Sequence, residues 1–290
     1  MTTSGDLTLA HHLADLADTV ARRHLAAGGA AVRTKDDGSP VTDADREIED
    51  LLRCEIRRNH PEDALLGEES GAEGTGRRRW VIDGIDGTSA FVAGRPEWGT
   101  LIALEEDGAV GVGVVSAPAL GRRWWAARGA GAWTAPRPSS AVEPPRRLSI
   151  PDGGPAREAV LGIWPPPARL SAAERAVAAR LAAHTARTCP ELDWSAPGPT
   201  TPAPRKPSTG TGTCHGALLV ATGRLDAFLL LGAGAWDIAA LVPVVQEAGG
   251  VFSDLSGGQR LDTGAALFAR TGLHRRLLDV VGGGRAQPSS

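Results

Sequence analysis

Trp80-Val81-Ile82-Asp83-Gly84-Ile85-Asp86-Gly87-Thr88 is an apolar run that leads directly into two aspartates three apart and then a glycine. The apolar residues predict a strand, which places both acids at its end. Magnesium takes oxygen ligands and is commonly bound through a few carboxylates together with phosphate oxygens, so Asp83 and Asp86 could bridge or share such ions. Gly87 allows the backbone to come close to a ligand. A short helix beginning at Thr88 and running to Val92 would offer its first amides to a phosphate. The plain reading stays open beside this one, because Asp-Gly is a common turn dipeptide and acids after a strand are often loop residues.

Three other acidic fragments follow the same pattern. Gly67-Glu68-Glu69-Ser70 comes just after the apolar pair Leu65-Leu66; by itself an acidic pair in a loop is a solvated surface. Trp236-Asp237-Ile238-Ala239-Ala240 opens a late helix, where Asp237 is either a ligand or a charge favourable to the helix N-terminus. In Val41-Thr42-Asp43-Ala44-Asp45, Thr42 is placed as an N-cap and Asp45 stands three residues on, where an acid complements that cap.

Around these fragments, Leu9, Leu13, Leu16, Val20 and Leu25 recur at helical spacing over 7–26, and a second helix over 43–59 buries Ile48, Leu51, Leu52 and Ile56. Residues 80–82, 100–104, 110–115 and 123–127 read as strands, with Asp107-Gly108 a hairpin signal. The Pro-, Ser-, Thr- and Gly-rich stretches 134–145 and 195–210 read as exposed loops. The first marks a boundary between an N-terminal lobe, 1–140, and a C-terminal lobe, 141–290. In the second lobe, strands near 146–150, 159–163 and 225–231 alternate with helices near 171–184, 212–222 and 237–248. This predicts layered α/β structure, with Pro243 kinking the last helix.

Composition narrows the function classes. Of 290 residues, 42% are hydrophobic and 22% charged, and the net charge is -3, which argues against a nucleic-acid-binding surface. The three cysteines lie far apart, with neither a disulfide framework nor zinc-ligand spacing, so a reducing cytoplasm is the expected compartment. Neither a signal peptide nor a membrane-spanning run is expected. Gly210-Thr211-Gly212 lacks both the spacing and the lysine of a P-loop.

In order, residue type and spacing, these fragments together with Trp236-Asp237 through Glu247-Ala248-Gly249-Gly250 resemble the inositol monophosphatase-like phosphatases. The resemblance spans roughly 7–280 and is thin over 134–210. It implies a five-layer αβαβα sandwich with two lobes sharing one metal site, a homodimer, and a small phosphorylated metabolite as substrate. It implies two or three Mg2+ ions held by Glu68, Asp83, the Ile85 carbonyl, Asp86 and Asp237, most of them from the first lobe, with Asp237 and substrate contacts from the second. In that scheme Gly87, Thr88 and Ser89 meet the phosphate, Glu68 and Thr88 position the attacking water, and Asp45 binds the threonine. Lys35 matches a family lysine near the site, although a lone loop lysine also reads as a solvated charge.

Within the family, Val115-Ser116-Ala117-Pro118-Ala119-Leu120 and Arg122-Arg123-Trp124-Trp125-Ala126-Ala127-Arg128-Gly129 look most like the actinobacterial histidinol-phosphate phosphatases. This makes histidinol phosphate the leading candidate substrate. The sequence also departs from the family pattern. Leu230 stands where many relatives carry a glutamate that binds the substrate's hydroxyl or amino group, Gly84 replaces the usual proline and Ala90 the usual asparagine. An apolar residue at 230 fits a nucleoside monophosphate or another biosynthetic intermediate as the rival substrate, with Glu191 and Asp193 as substitutes for the missing acid or simply exposed loop acids. A catalytically silent binding protein on the same fold is the alternative of another class, which retention of the four acidic positions disfavours.

Overall fold

The computed structural model describes residues 4–28, 31–34, 40–137, 143–151, 153–194 and 213–282. Two compact units are present, Met1–Leu148 with Gly234–Ala248, and Ser149–Ala233 with Gly249–Ser290. In chain order the elements begin with α1 (Ser4–Ala26), β1 (Val32–Thr34), β2 (Pro40–Thr42), α2 (Asp43–Asn59), β3 (Ala64–Gly67), β4 (Gly71–Glu73), β5 (Arg78–Asp86) and α3 (Thr88–Val92). They continue with β6 (Gly99–Glu106), β7 (Ala109–Ala117), β8 (Arg122–Ala127), β9 (Gly131–Pro136), β10 (Arg146–Arg147), β11 (Val160–Trp164), α4 (Ala172–Ala182) and β12 (Arg187–Cys189). The last are α5 (Thr213–Ala221), β13 (Ala227–Leu231), α6 (Ala235–Ala239), α7 (Leu241–Glu247), β14 (Gly250–Ser253), β15 (Ala265–Arg270) and α8 (Thr271–Val281).

The first unit is built on an eight-stranded sheet of order β10-β9-β8-β7-β6-β5-β3-β4. Strand side chains alternate between faces. One set, Trp80, Ile82, Ile102, Leu104, Val112 and Val114, packs against Leu13, Ala17, Ile48, Leu52 and Ile56 of α1 and α2. The opposite set includes Val81, Leu101, Ala103 and Val115, all buried, and α6 and α7 lie against these same strands. β5 runs parallel to β3, with Gly67 opposite Ile82, and antiparallel to β6. The parallel pairing sets the residues that follow, Glu68 and Asp83, side by side at one end of the sheet.

The segment expected with the C-terminal lobe, 234–248, packs with the first unit instead. Its helix backbone sits almost on β7, since a Cβ on Gly113 would stand 2.2 Å from the Ala240 carbonyl oxygen. At its far end the Glu247 carboxylate accepts hydrogen bonds from the Gly129 and Gly131 amides, each at 2.8 Å. The single kinked helix expected over 237–248 is two short helices meeting at Ala240. Pro243 has no N–H to give the Ala239 carbonyl, so the ladder fails one turn before the proline. The strand expected near 146–150 shrinks to β10, which pairs with β9 at the edge of the first sheet. On α2 the residues buried with Ile48, Leu52 and Ile56 are Ala44, Asp45, Glu49 and Arg53, while Leu51 is only partly covered.

The second unit carries a five-stranded sheet of order β12-β11-β13-β15-β14. Leu161, Ile163, Leu229, Leu231 and Leu267 face Ala178, Leu181, Leu273 and Leu277 of α4 and α8. By alternation Phe228 and Leu230 point to the other face, where α5 approaches so closely that a Cβ on Gly216 would lie 2.1 Å from the Phe228 ring. Strands β14 and β15 and helix α8 carry no sequence-based expectation; every residue of β15 is buried, so the alternation that marks a half-buried strand is absent there. The loop expected at 195–210 lies outside the described residues.

Gly113→Ala tests the seating of the 234–248 segment. The added methyl meets a backbone oxygen that cannot rotate away, so urea denaturation is expected to show a loss of about 3 kcal/mol, the upper end for overpacking. A midpoint equal to wild type would mean that α7 is not held on β7 as described.

Candidate active site

β5 gains one residue relative to β6 at its end. Asp83 pairs with Leu101 and Asp86 with Gly99, so three steps on one strand match two on the other. A regular strand would send side chains three apart to opposite faces; the bulge turns them together. As a result carboxylate oxygens of Asp83, Asp86 and Asp237 all lie within 4.8 Å of one another. Asp83 and Asp86 are 2% and 3% exposed. Asp237, at the start of α6, is oriented by the Gly234 amide, which donates to its Oδ2 at 2.7 Å.

This gathering is electrostatically costly. Burial pushes the Asp83 pKa well above the usual carboxylate range, and the neighbouring charges of Glu68, Asp86, Asp237 and Asp45 push it further the same way. Asp83 Oδ2 is buried and has no hydrogen-bond partner among the described residues. Buried acceptors are nearly always satisfied. Several hard carboxylate oxygens converging on one point, one of them without a donor, fit a hard divalent cation such as Mg2+.

Asp45 serves two partners at once. Its Oδ2 accepts the Thr42 amide at 2.8 Å, closing the capping box of α2, and its Oδ1 accepts the Thr88 hydroxyl at 3.0 Å. Burial holds the Asp45 pKa above the usual carboxylate value, and the hydrogen bonds from Thr42 and Thr88 offset only part of that rise. The cap reading and the threonine-binding role therefore coexist in one side chain. Thr88 Oγ1 also lies 3.2 Å from the Ile85 carbonyl oxygen, so its proton is directed inward and its lone pairs stay available to accept from a water.

The glycines here are dictated by close approach. Gly87 has φ 86°, and a Cβ there would stand 2.8 Å from the Glu97 carbonyl oxygen. At Gly84 a Cβ would stand 2.8 Å from the Asp45 carbonyl oxygen, so the small residue lets α2 sit tightly against β5. Glu68 is half-buried and Ser89 exposed on α3. Ala90 is a buried residue of the same helix. Leu230 lies in the second unit, 1% exposed, between Trp164 and Ala266 of the neighbouring strands. Glu191 and Asp193 are exposed residues of that unit. Lys35 lies outside the described residues.

Sequence reasoning misses Glu49. Its carboxylate is fully buried behind the Glu68 turn and accepts the amides of Glu69 and Ser70. The available signal is the pair Glu49 and Arg53, four apart and flanking the apolar stripe of α2, but such pairs usually lie on solvated helix faces.

The family model for the inositol monophosphatase family matches residues 4–280. A Streptomyces griseus protein named glucose-1-phosphate thymidylyltransferase is 39% identical over 272 residues, covering 92% of this chain and 93% of its own. The histidinol-phosphatase of Mycobacterium tuberculosis is 39% identical over 285 residues, covering 96% and 98%. Among solved structures, an inositol monophosphatase from Zymomonas mobilis superposes with a TM-score of 0.76 at 27% identity, covering 97% of this chain and 100% of that one. With a match this long in both sequence and layered α/β fold, the chain belongs to the inositol monophosphatase family and is a metal-dependent phosphoric monoester hydrolase.

Proposed function

We propose that the protein uses Mg2+ to hydrolyse the phosphomonoester of a small metabolite, with histidinol phosphate as the leading substrate. The observation that carries this reading is the buried cluster of Asp83, Asp86 and Asp237, with Asp83 Oδ2 lacking a donor. Glu68, Asp83, the Ile85 carbonyl, Asp86 and Asp237 are the residues to hold two or three ions. When bound, Mg2+ neutralises the phosphate dianion, makes a water acidic enough to attack and stabilises the departing oxygen.

The chain's own groups do the rest. Amides at Gly87, Thr88 and Ser89 receive phosphate oxygens and orient the ester. Thr88, its proton held by Asp45, accepts a hydrogen bond from the attacking water, and Glu68 takes that water's proton. The water oxygen bonds to phosphorus in line with the ester oxygen as the P–O ester bond breaks; the departing alkoxide takes a proton from a solvent water, and Glu68 returns its own proton to solvent. Holding the water in place supplies much of the rate, since near-attack geometry replaces a bimolecular encounter.

Support for histidinol phosphate comes from the Mycobacterium tuberculosis relative and its extent of match. A second reading, a nucleoside monophosphate or another intermediate with an apolar group, is favoured by Leu230. A leucine cannot pair with a polar hydroxyl or amine, and a site that leaves such a group unpaired discriminates against it strongly. Glucose 1-phosphate, the sugar phosphate in the name of the Streptomyces griseus relative, is also a phosphomonoester and belongs in the test panel.

Phosphate release is to be measured on histidinol phosphate, inositol 1-phosphate, glucose 1-phosphate and several nucleoside monophosphates. The highest kcat/KM is expected on histidinol phosphate with Mg2+, and no turnover in EDTA. A preference for a nucleoside monophosphate would establish the second reading, and silence across the panel would defeat both. Leu230→Glu is expected to shift the kcat/KM ratio toward histidinol phosphate; an unchanged ratio in a folded variant removes Leu230 from recognition.

Asp83→Asn separates metal chemistry from folding. It removes one buried charge from a crowded group, so the metal-free variant is expected to melt a few degrees above metal-free wild type at pH 7. It should also lose the rise in Tm that Mg2+ gives wild type, and kcat should fall by more than about 100-fold. A variant that keeps its Mg2+ response in both melting and rate would contradict the metal assignment of Asp83.

A further inference from the structure

We propose that Glu49 is a positioning residue for the metal centre, a buried carboxylate that fixes the turn carrying Glu68 and thereby sets the affinity for the divalent ion. The proposal rests on Glu68 being a ligand, as read above. Asp45, Glu49 and Arg53 fall at four-residue intervals on α2, so they form one polar row along the helix. All three are buried, at 2%, 0% and 5% exposure, beside the apolar row of Ile48, Leu52 and Ile56. The first member of that row holds Thr88. The other two hold the β3–β4 turn.

Glu49 Oε2 accepts the Glu69 amide and Oε1 the Ser70 amide, both at 2.8 Å. The Arg53 Nε donates to Oε1 at 3.1 Å, and its Nη2 donates to the Gly71 carbonyl oxygen at 2.5 Å. The turn is thus gripped at three consecutive residues, 69, 70 and 71, immediately after Glu68. On the preceding side, a Cβ on Gly67 would stand 2.3 Å from Glu49 Oε1, so the carboxylate lies directly against the backbone there. The Glu68 backbone is therefore fixed on both sides.

The chemistry requires a carboxylate. Two diverging amides need two acceptor oxygens, and the arginine adds a charge-assisted bond. Glutamine supplies one acceptor and one donor, so one amide would face an N–H group. Outer partners of this kind typically change metal affinity by 10- to 100-fold when removed, because the ligand they orient can no longer meet the ion without cost.

The test is Mn2+ binding, followed by electron paramagnetic resonance of the free ion, to metal-free wild type, Glu49→Gln, Glu68→Gln and the double variant, with Tm recorded for each. Glu49→Gln is expected to raise the Kd for Mn2+ by about 10-fold and to raise the Mg2+ concentration for half-maximal rate, with a smaller fall in kcat at saturating Mg2+. In the Glu68→Gln background the same change is expected to add less than about twofold, because its effect passes through Glu68. Wild-type affinity in Glu49→Gln, or an equal loss in both backgrounds, overturns the positioning role while leaving the ligand role intact. An unchanged Kd in Glu68→Gln overturns the ligand role of Glu68, and this proposal with it. Should Glu49→Gln fail to fold, Arg53→Lys decides, since it keeps the charge beside Glu49 but cannot also reach the Gly71 carbonyl. A weakened Mn2+ affinity upholds the proposal and an unchanged one overturns it.

Discussion

Like charges brought together out of water repel, and a protein that folds around them needs a compensating cation or a proton. At the end of β5 the chain concentrates Asp83, Asp86 and Asp237 within a few ångströms, with Glu68 and Asp45 adding to the field on Asp83. The buried arginine of α2 does not relieve this, because Arg53 is committed to Glu49, Gly71 and Glu73. Burial magnifies the repulsion, and the same burial makes a divalent ion strongly favoured once present. Folding and metal binding are thus two sides of one electrostatic arrangement.

Three constraints of the backbone create that arrangement. Parallel pairing of β3 with β5 brings the ends of the two strands together. One extra residue in β5 turns two aspartates to the same side. Glycine at position 113 lets the 234–248 segment return to the first sheet, bringing Asp237 with it. None of these uses the acids themselves, so the scaffold can be understood as apolar packing that holds unfavourable charges in place. Helix α2 links the parts, with its apolar row on the sheet and its polar row reaching both Thr88 and the Glu68 turn.

Much of this is legible in the amino-acid sequence. The acids stand out because each follows an apolar run or opens a helix, and the resemblance joins them into a single pattern. The two long N-terminal helices and four strands of the first sheet, β5 to β8, follow from their residue patterns, whereas β3, β4 and β9 do not, and the start of the stretch 134–145 expected as an exposed loop is the buried end of β9. Convergence cannot be read locally, because it depends on pairings between residues far apart in sequence. For the same reason the sequence groups the 234–248 segment with the residues around it rather than with the first sheet. Glu49 escapes notice because an acid four residues before an arginine has the pattern of a solvated helix pair, and only the packing of the turn against α2 removes it from water. Strand β15 gives no signal because burial of every residue erases alternation. Leu230 is visible as a departure from the family pattern, but its burial depends on the strands beside it.

The proposed role of these carboxylates is to hold divalent cations. It is tested most directly by anomalous diffraction from crystals grown with Mn2+ in place of Mg2+. Anomalous peaks are expected within coordination distance of Asp83, Asp86, Asp237 and Glu68 oxygens. Crystals with excess Mn2+ and no peak among these four residues would contradict the claim.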